Sequence, residues 1–532
     1  MVQYLNNSGN GFQQFTAKKD AEQKSGAGNT IIWIAIAILA GWLVYGWLTP
    51  NVKIENREQK NEIASQTTDL SHVPAQHLTG DLISANVRGL RISDIELKNY
   101  KKEKNAPENI ALLSGKEFLE VGFAGAGTSM PTDVTLWKMN RAASGDKIHM
   151  VWTSPDGVEF RREISMNDDY VMQVKDTVKN NSKSQISLSQ YARIVRAGSD
   201  ESQMGVQTGG IAFANGKIDR EDWKSISKKP QSYQTVGGFV GWTDQYWQTI
   251  ARVAAADVQD ETMRMRVRAD GMFQADIASE AYAVAPGKEY GWTALIYAGP
   301  KTQNNLAAAA AAIPGIEQTI DYGWFWFLAR PFLWAINALH AVVGNYGVAI
   351  ILFTILLRIL MWPLTRKSFT SMSAMQRMQP EMQRIQKQYG NDKMRMQQEL
   401  ARMYKEHGAS PMGGCLPMIL QIPIFFALYK ALLISAPMRH AGFLWISDLS
   451  VMDPFFILPI IMGATMWWQQ RIQSASVSAS DPMAQTQKFM KWMPILFTAL
   501  FAFMPSGLVL YWTVSNLFGI GQMWWIKKKG SR

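Results

Sequence analysis

The hydrophobic and polar positions divide the chain into three stretches with different periodicities. A near-continuous apolar run, Ile31–Trp47, follows a polar tail and is just long enough to span a bilayer. From about residue 76 to 315, apolar residues alternate with polar ones between turn signals, as they do in strands. After residue 345 long apolar runs return. The pattern predicts a membrane anchor, an inserted β-rich domain and a helical membrane core.

The middle stretch contains a clear hairpin signal. Lys147–Thr153 and Val158–Ile164 both alternate, and they enclose a Pro-Asp-Gly turn. Tyr170–Val178 and Gln185–Tyr191 show the same alternation and predict further strands. Many short strands at this spacing are typical of a large β-sandwich, which we place at 76–318.

Five apolar runs in the last third of the chain are candidates for membrane-spanning helices. They lie near 346–364, 416–434, 454–470, 491–504 and 506–526. The segment 319–344 before them is aromatic and amphipathic, which is typical of a helix lying in the membrane interface. With the N-terminal run included, the sequence predicts six spans.

Basic residues give these spans an orientation. Lysines and arginines cluster in 366–407 and 527–532, and three lysines lie in the N-terminal tail, whereas the loop 436–453 has only Arg439. The positive-inside rule then places both termini in the cytoplasm and exports the β domain. The predicted organisation is a cytoplasmic tail, a signal anchor, a linker, a β-sandwich, an interfacial helix, a five-helix core that includes a cytoplasmic hairpin at 366–407, and a basic tail, at 1–29, 30–49, 50–75, 76–318, 319–344, 345–526 and 527–532.

Composition narrows the classes of function. The formal net charge of +11 admits nucleic acid as a partner, but the basic residues follow the hydrophobic segments and indicate membrane topology first. The single cysteine, Cys415, cannot form an internal disulfide and lies beside two glycines, which favours a small packing residue. Because the chain has no P-loop motif, and because His407 has no second metal ligand at suitable spacing, we predict no ATP hydrolysis, no metal and no cofactor.

Arg358 lies inside the apolar run 346–364, where an arginine at mid-helix costs about 2.5–3.5 kcal/mol on insertion scales. Thr354 lies one turn earlier on the same helix face. None of the five runs contains an aspartate or glutamate, so Arg358 has no carboxylate partner among them. This weakens a proton relay and favours water, hydroxyl groups, lipid phosphate or a visiting substrate as its partner.

Other polar side chains occur at membrane depth, and a bundle that turned them inward would hold a hydrated cavity. The set comprises Gln421, Thr513, Ser515, Asn516 and Gln522. Trp512, Asn516 and Gly519 share one helix face by their spacing. Two alternatives remain open: the Arg358 side chain could extend to the headgroups, and the single polar residues could form hydrogen bonds between helices.

The segment 366–407 carries methionine-rich stripes at helical spacing, interrupted at Gly390, which predicts two amphipathic helices joined by a turn. Pro380 is expected to kink the first helix. The stripes could pack against each other, or they could bind varied apolar partners, as methionine surfaces do. The candidate contact residues are Met375, Met378, Pro380, Met396 and Met403.

Several short stretches carry a family resemblance. They are Asp321–Trp324, Gly344–Gly347, Arg358–Thr365, Met378–Pro380, Pro411–Pro417, Gln421–Phe425, Asp453-Pro454, Leu458–Ile460, Phe503–Trp512 and Ser515-Asn516. Over about 321–526 the chain resembles the bacterial YidC membrane protein insertase family, in its Gram-negative type with a large periplasmic domain.

The resemblance implies an insertase and chaperone of the bacterial inner membrane rather than an enzyme. The resemblance implies that the family's groove arginine is Arg358, and that Trp512 stands where many relatives carry another aromatic residue. The predicted substrate groove comprises Arg358, Thr354, Gln421, Trp512, Ser515 and Asn516. The implied partners are nascent membrane proteins, the Sec translocon, the ribosome with signal-recognition targeting factors, and membrane lipids. No nucleic acid is expected apart from ribosome contact, which the hairpin and the basic C-terminus would make.

Two other classes of function compete with this interpretation. An anion or solute transporter could use Arg358 as its binding residue, although transporters of this size commonly contain inverted repeats and none is visible across 346–526. A structural anchor that displays the β domain is the third class. It does not explain a polar face at membrane depth.

Overall fold

The computed structural model describes the chain from residue 70 onward, with gaps. The described residues are 70–141, 145–198, 206–254, 260–390, 392–407, 416–473 and 484–530. The predicted tail 1–29, the predicted signal anchor 30–49 and nearly all of the linker 50–75 lie outside them, as does Cys415.

Within the described residues, the segment 75–300 folds into strands that form two antiparallel sheets. The strands are β1 (Ala75–Thr79), β2 (Ile83–Arg88), β3 (Arg91–Lys101), β4 (Asn109–Leu112), β5 (Phe118–Ala126), β6 (Lys138–Arg141), β7 (Lys147–Thr153), β8 (Val158–Met166), β9 (Val171–Asn180), β10 (Ile186–Arg196), β11 (Gly209–Ala214), β12 (Lys217–Glu221), β13 (Gln231–Thr235), β14 (Phe239–Thr243), β15 (Trp247–Ala254), β16 (Glu261–Val267), β17 (Phe273–Ser279), β18 (Tyr282–Val284) and β19 (Glu289–Pro300). The predicted β-rich domain is confirmed.

The order of strands in each sheet follows a simple path. The first sheet runs β1-β2-β3-β5-β10-β17-β16-β13, with β4 on β3 and β18 on β10; the second runs β12-β11-β14-β15-β19-β9-β8-β7-β6. The predicted hairpin is present, with Lys147 opposite Ser165 in the β7–β8 pair. Its turn contains Gly157 at a φ of 90°, a conformation that a side chain would strain.

Hydrogen bonds from buried side chains join the two sheets. Trp242 of the second sheet donates its indole N–H to the carbonyl oxygen of Ile194 in the first, at 3.0 Å. Arg162 of β8 forms a bidentate pair with Asp176 of β9, at 2.7 and 2.8 Å. The remaining guanidinium nitrogen of Arg162 donates across the interface to the Val121 carbonyl at 2.8 Å. The sheets therefore pack face to face through specific polar contacts as well as apolar ones.

The rest of the described chain is mostly helical. The helices are α1 (Trp223–Lys228) and α2 (Gln303–Ala309), then α3 (Trp326–Val343), α4 (Tyr346–Leu360), α5 (Trp362–Tyr389), α6 (Lys393–Glu406), α7 (Leu416–Leu433), α8 (Ile457–Gln473), α9 (Ala484–Phe501) and α10 (Ser506–Gly530). Asn345 caps α4, because its side chain accepts a hydrogen bond from the Val348 N–H at 3.1 Å.

The first predicted run of the core, 346–364, is divided in the structure. Helix α4 ends at Leu360 and α5 begins at Trp362, with an angle of 61° between the two axes. Pro363 lies in the first turn of α5, where its missing N–H costs nothing, and its ring could not continue α4. The bend leaves Arg358 in the last turn of α4 rather than in the middle of a long helix.

By length and apolar composition, one described helix, α3, is sufficient to cross a membrane by itself. The bent pair formed by α4 and the segment Trp362–Ser371 of α5 meets the same criterion as a single unit. Shorter apolar helices occupy Ile419–Leu433 and Lys491–Phe501. The count of six spans stays a prediction.

Helix α3 has the amphipathic character predicted for 319–344. Its buried face consists of Ala329, Phe332, Leu333 and Ile336, and it packs against α4 and α7. Large aromatic side chains occupy the opposite face, with Trp334 66% exposed. Exposed tryptophans favour the membrane interface, and the interfacial position of 319–344 stays a prediction.

Candidate functional site

Arg358 points from α4 toward α10 in the structure. Its Nε donates to the Oγ of Ser515 at 2.7 Å, and a second guanidinium nitrogen donates to the same oxygen. Arg358 is half-buried, whereas Ser515 is buried. The side chain therefore lies between two helices and is bound by a hydroxyl group, one of the partners that the sequence left open.

Two further side chains continue this contact toward α7. Gln421 donates its amide N–H to the Tyr511 hydroxyl at 2.8 Å, and Ser515 lies one turn after Tyr511 on α10. We call Gln421, Tyr511, Ser515 and Arg358 the polar row. It joins three helices through neutral groups and one cation, because the five predicted spans contain no carboxylate.

Tyr511 is the member of the polar row that the sequence analysis missed. Its side chain is 1% exposed, so the hydroxyl is available only to groups inside the bundle. The signal was present in the sequence, since Tyr511 precedes Ser515 by four residues and therefore shares its helix face. A tyrosine within an apolar run is normally interpreted as a core residue, because the sequence does not show a hydrogen-bond partner for its hydroxyl.

Asn516 and Gly519 face a different helix from Arg358. The Asn516 amide donates to the Thr465 hydroxyl of α8 at 3.2 Å. A side chain at Gly519 would meet the amide nitrogen of Gln469, also on α8, at 3.1 Å. Asn516 therefore lies beside the polar row and joins α10 to α8, as a helix-to-helix hydrogen bond does.

Trp512 and Thr354 have surroundings that differ from those of the polar row. The Trp512 ring packs against an aromatic group from α7 and α9, with centroids 5.1 Å from Phe501, 5.6 Å from Phe425 and 6.0 Å from Phe497. Thr354 is fully buried and donates its hydroxyl to the Ile350 carbonyl of its own helix at 2.6 Å. Its polar atom is therefore already satisfied within α4.

The predicted helical hairpin packs its methionine stripes against each other. Met378 and Met382 of α5 and Met403 of α6 are buried together, and neighbouring residues cover them. Helix α5 continues through Pro380, which is exposed, and Met396 is half-buried. The backbone of Met375 lies in α5, but its side chain is outside the described part of the structure.

A second polar cluster, which the sequence analysis did not predict, lies where the end of the β domain meets α7. Lys430 in the last turn of α7 pairs with Asp321 at 2.6 Å. Lys301, just after β19, donates to the Thr243 hydroxyl at 2.8 Å and lines the same small cavity as Asp321 and Lys430. Gln245 adds a hydrogen bond to the Leu433 carbonyl at 2.9 Å. These contacts fix the β domain to the end of a core helix.

Burial lowers the pKa of Lys301 to about 8. The positive charges of Lys430 and Arg220 lower this pKa further, whereas the negative charges of Asp244 and Asp321 raise it. Folding then releases a proton from Lys301 between about pH 8 and its ordinary value of 10.5. The contribution of this lysine to stability should therefore rise with pH in that window, by at most about 1.4 kcal/mol per pH unit.

The measurement is urea unfolding of the purified full chain from pH 7 to 10, for the wild type and for Lys301→Met. The free energy of unfolding of the wild type should increase relative to that of Lys301→Met as the pH rises. Lys288→Met, which removes an exposed lysine of the same domain, is the matched control and should show no such trend. A pH-independent difference for Lys301→Met would contradict the prediction.

Known protein sequences match both the β domain and the helical region of this chain. Residues 76–335 match the sequence model of the YidC periplasmic domain, and residues 338–532 match that of the 60Kd inner membrane protein family. A membrane protein insertase YidC of Methylobacillus flagellatus is 34% identical over 495 residues, which cover 90% of this chain and 86% of the relative. The chain belongs to the YidC membrane protein insertase family.

Further relatives extend the same finding. A membrane protein insertase YidC of Thioalkalivibrio sulfidiphilus is 39% identical over 392 residues, covering 72% of this chain and 68% of the relative. A solved structure described as an active YidC insertase with its first transmembrane domain resolved aligns with 84% of this chain and 94% of its own, at 17% identity and a TM-score of 0.37. The resemblance predicted from the short motifs is confirmed, and the chain is a membrane-bound protein with a β-rich periplasmic domain and a helical C-terminal region.

Proposed function

We propose that this chain is a membrane protein insertase and chaperone, which receives the polar flank of a nascent membrane protein at the polar row. One observation carries the proposal. The guanidinium of Arg358 is held between helices by the neutral hydroxyl of Ser515, while the five predicted spans contain no carboxylate. A cation kept at membrane depth without a fixed anion is available to an acidic group of a substrate.

The polar row would lower the barrier that a polar segment meets in hydrocarbon. A carboxylate about 4 Å from the Arg358 guanidinium gains about 4 kcal/mol at the effective dielectric of partly buried sites. The hydroxyl groups of Tyr511 and Ser515 and the amide of Gln421 can exchange hydrogen bonds with the passing chain. Each backbone group left unsatisfied in lipid costs several kcal/mol, so even a few such bonds change the rate.

The driving force comes from the substrate rather than from a chemical reaction of the insertase. An apolar helix that leaves water for lipid gains roughly 25 cal/mol per Å² of apolar surface. The membrane potential adds about 2.3 kcal/mol for each negative charge moved outward per 100 mV. We therefore propose that the insertase speeds the transfer of the substrate helix from water into lipid, without a chemical reaction and without a cofactor.

The proposal also assigns sides and partners. Six spans with both termini in the cytoplasm follow from the distribution of lysine and arginine. The hairpin of α5 and α6 and the basic C-terminus then face the cytoplasm, where they would meet ribosomes and signal-recognition targeting factors. The β domain faces the periplasm, and the Sec translocon is a further proposed partner. The relatives named as membrane protein insertases support nascent membrane proteins as the substrate.

A photoreactive probe tests whether a nascent chain passes the polar row. We expect adducts during translation of a short single-span membrane protein when the probe replaces Gln421, a half-buried member of the row, or Trp512, which is half-buried and follows Tyr511. Leu517 is the matched control, because it is 48% exposed and lies on the opposite side of α10 from Ser515. A probe there should give markedly fewer adducts.

The competing transporter hypothesis makes the opposite prediction. A solute transporter would show no nascent-chain adducts at Gln421 or Trp512, and Arg358 variants would alter the uptake of a small anion. Absence of adducts at both positions, with membrane insertion of the test protein unaffected by depletion of the chain, would sink the insertase proposal.

A further inference from the structure

The side-chain amide of Gln522 in α10 is buried and has no hydrogen-bond partner among the residues that the structure describes. Its side chain is 3% exposed, and neither its Nε2 nor its Oε1 has a hydrogen-bond partner in the structure as described. Buried polar side chains are nearly always hydrogen-bonded, because an unsatisfied donor or acceptor keeps its full desolvation cost. A glutamine with both ends unsatisfied is a costly residue for a helix interface. A ligand that satisfied both ends would remove this cost.

The position of Gln522 places it in line with the polar row. It follows Ser515 by seven residues, which is two helical turns, so both side chains lie on one side of α10 about 10 Å apart. Gly519 lies between them and carries no side chain, and the Gln469 amide of α8 packs close to it. Trp525, three residues after Gln522, packs against Trp362 with the ring centroids 5.2 Å apart. Ser515 and Gln522 thus place two buried polar side chains on one side of α10.

The chemistry of an amide selects its ligand. Gln522 offers an acceptor oxygen and a donor nitrogen, so a single group that satisfies both must present a donor and an acceptor together, as a hydroxyl, a side-chain amide or a peptide group does. A carboxylate or phosphate presents only acceptors and would leave Oε1 unpaired. A cation presents only donors and would leave Nε2 unpaired. A peptide group presents both an N–H and a C=O, in any sequence.

We propose that Gln522 is a binding residue for the main chain of the substrate, at the end of the groove from which the polar segment enters. This inference rests on the proposed insertase function, and it assigns to Gln522 a part different from that of Arg358. Arg358 recognises acidic side chains, whereas Gln522 hydrogen-bonds a peptide group and does not distinguish between sequences. The two residues together would hold an extended polar segment over about 10 Å.

Gln522→Leu separates a binding role from a structural one. Leucine has a similar volume and removes the unsatisfied amide, so we expect the thermal midpoint of the purified full chain to stay unchanged or to rise. The insertion rate should fall about fivefold or more, to the same extent for substrates with acidic and with neutral flanks. Gln522→Asn, which keeps the amide on a shorter side chain, should retain more activity than Gln522→Leu.

Photoreactive probes give an independent readout on the same helix. A probe at Gln522 should form adducts with a translating substrate, while a probe at Trp524, 64% exposed and on the opposite side of α10, should give few. A lower thermal midpoint for Gln522→Leu, or unchanged insertion, would overturn the inference and leave the amide with a structural or water-binding part. Adducts at Gln421 without adducts at Gln522 would also overturn it, whereas absence at both would contradict the insertase proposal itself.

Discussion

Arg358→Ala should lower the insertion of substrates with acidic flanks by tenfold or more, and that of substrates with neutral flanks far less. A hydrogen bond or ion pair that involves a charged group contributes about 1.5–3 kcal/mol, which corresponds to roughly 10- to 100-fold in rate when it acts in the transition state. Alanine removes the cation together with its contact to Ser515. The measurement is protease protection of matched single-span substrates in vesicles that contain each variant.

Arg358→Lys distinguishes charge from geometry. A lysine keeps the positive charge but offers one nitrogen, whereas the guanidinium contacts Ser515 through two nitrogens and still has donors left for a substrate. With Arg358→Lys, we expect the insertion of substrates with acidic flanks to be lower than in the wild type and higher than in the alanine variant. A lysine as inactive as alanine would show that the fork geometry of arginine is required rather than its charge.

Ser515→Ala is the control for the contact between the helices. It frees the guanidinium without removing the charge, so insertion of acidic substrates should fall less than with Arg358→Ala. The buried position of Ser515 makes a small loss of stability the expected side effect.

Equal losses for acidic and neutral substrates with Arg358→Ala would contradict the assignment of Arg358 to acidic groups and indicate a general packing defect.

Local patterns predicted the parts of the fold whose causes are local. The alternation in Lys147–Thr153 and Val158–Ile164, with its Pro-Asp-Gly turn, predicted a hairpin that the structure contains with β7 and β8 at nearly those bounds. The run near 346–364 was predicted as one candidate span, and the structure divides it into α4, which ends at Leu360, and the start of α5. An apolar run does not reveal where a proline will turn the chain by 61°.

Contacts between distant residues were beyond the reach of periodicity. The sequence indicated that Ser515 and Arg358 are polar at membrane depth, but only the folded bundle brings them together across 157 residues. Trp512, Asn516 and Gly519 were predicted to share one face, but they contact different helices. Asn516 and Gly519 lie against α8, whereas Trp512 packs against aromatic rings of α7 and α9. Helix spacing gives the direction of a side chain relative to its own axis, whereas its partner depends on which helix lies there.

The cluster of Lys301, Asp321 and Lys430 is the clearest case of a feature hidden in the sequence. Each residue reads as an ordinary charged group near the end of an element, and the ion pair of Asp321 and Lys430 spans 109 residues. Charged residues at helix ends are common and mostly exposed. Only their enclosure at the junction of the β domain and α7 gives them a joint role in fixing that junction.

Asp176→Ala should destabilise the β domain by about 3–5 kcal/mol. Asp176 and Arg162 form a bidentate pair whose side chains are 2% and 1% exposed, so the alanine leaves a buried guanidinium without its counter-charge. The Gln190 amide also donates to Asp176, at 2.6 Å, and would lose its acceptor. Hydrogen exchange of the full chain should show loss of protection in β8, β9 and β10, which carry these side chains.

The chain supplies a matched control one residue away. Arg161 pairs with Glu159 on the surface of the same strand, with exposed fractions of 49% and 26%, and Glu159→Ala should cost less than about 1 kcal/mol. The double variant Arg162→Met, Asp176→Leu should recover part of the stability, because no buried charge remains. Recovery should be incomplete, since the Val121 carbonyl loses the donor that joins the two sheets. Equal effects of Asp176→Ala and Glu159→Ala would mean that water reaches the pair and that the sheets do not depend on it.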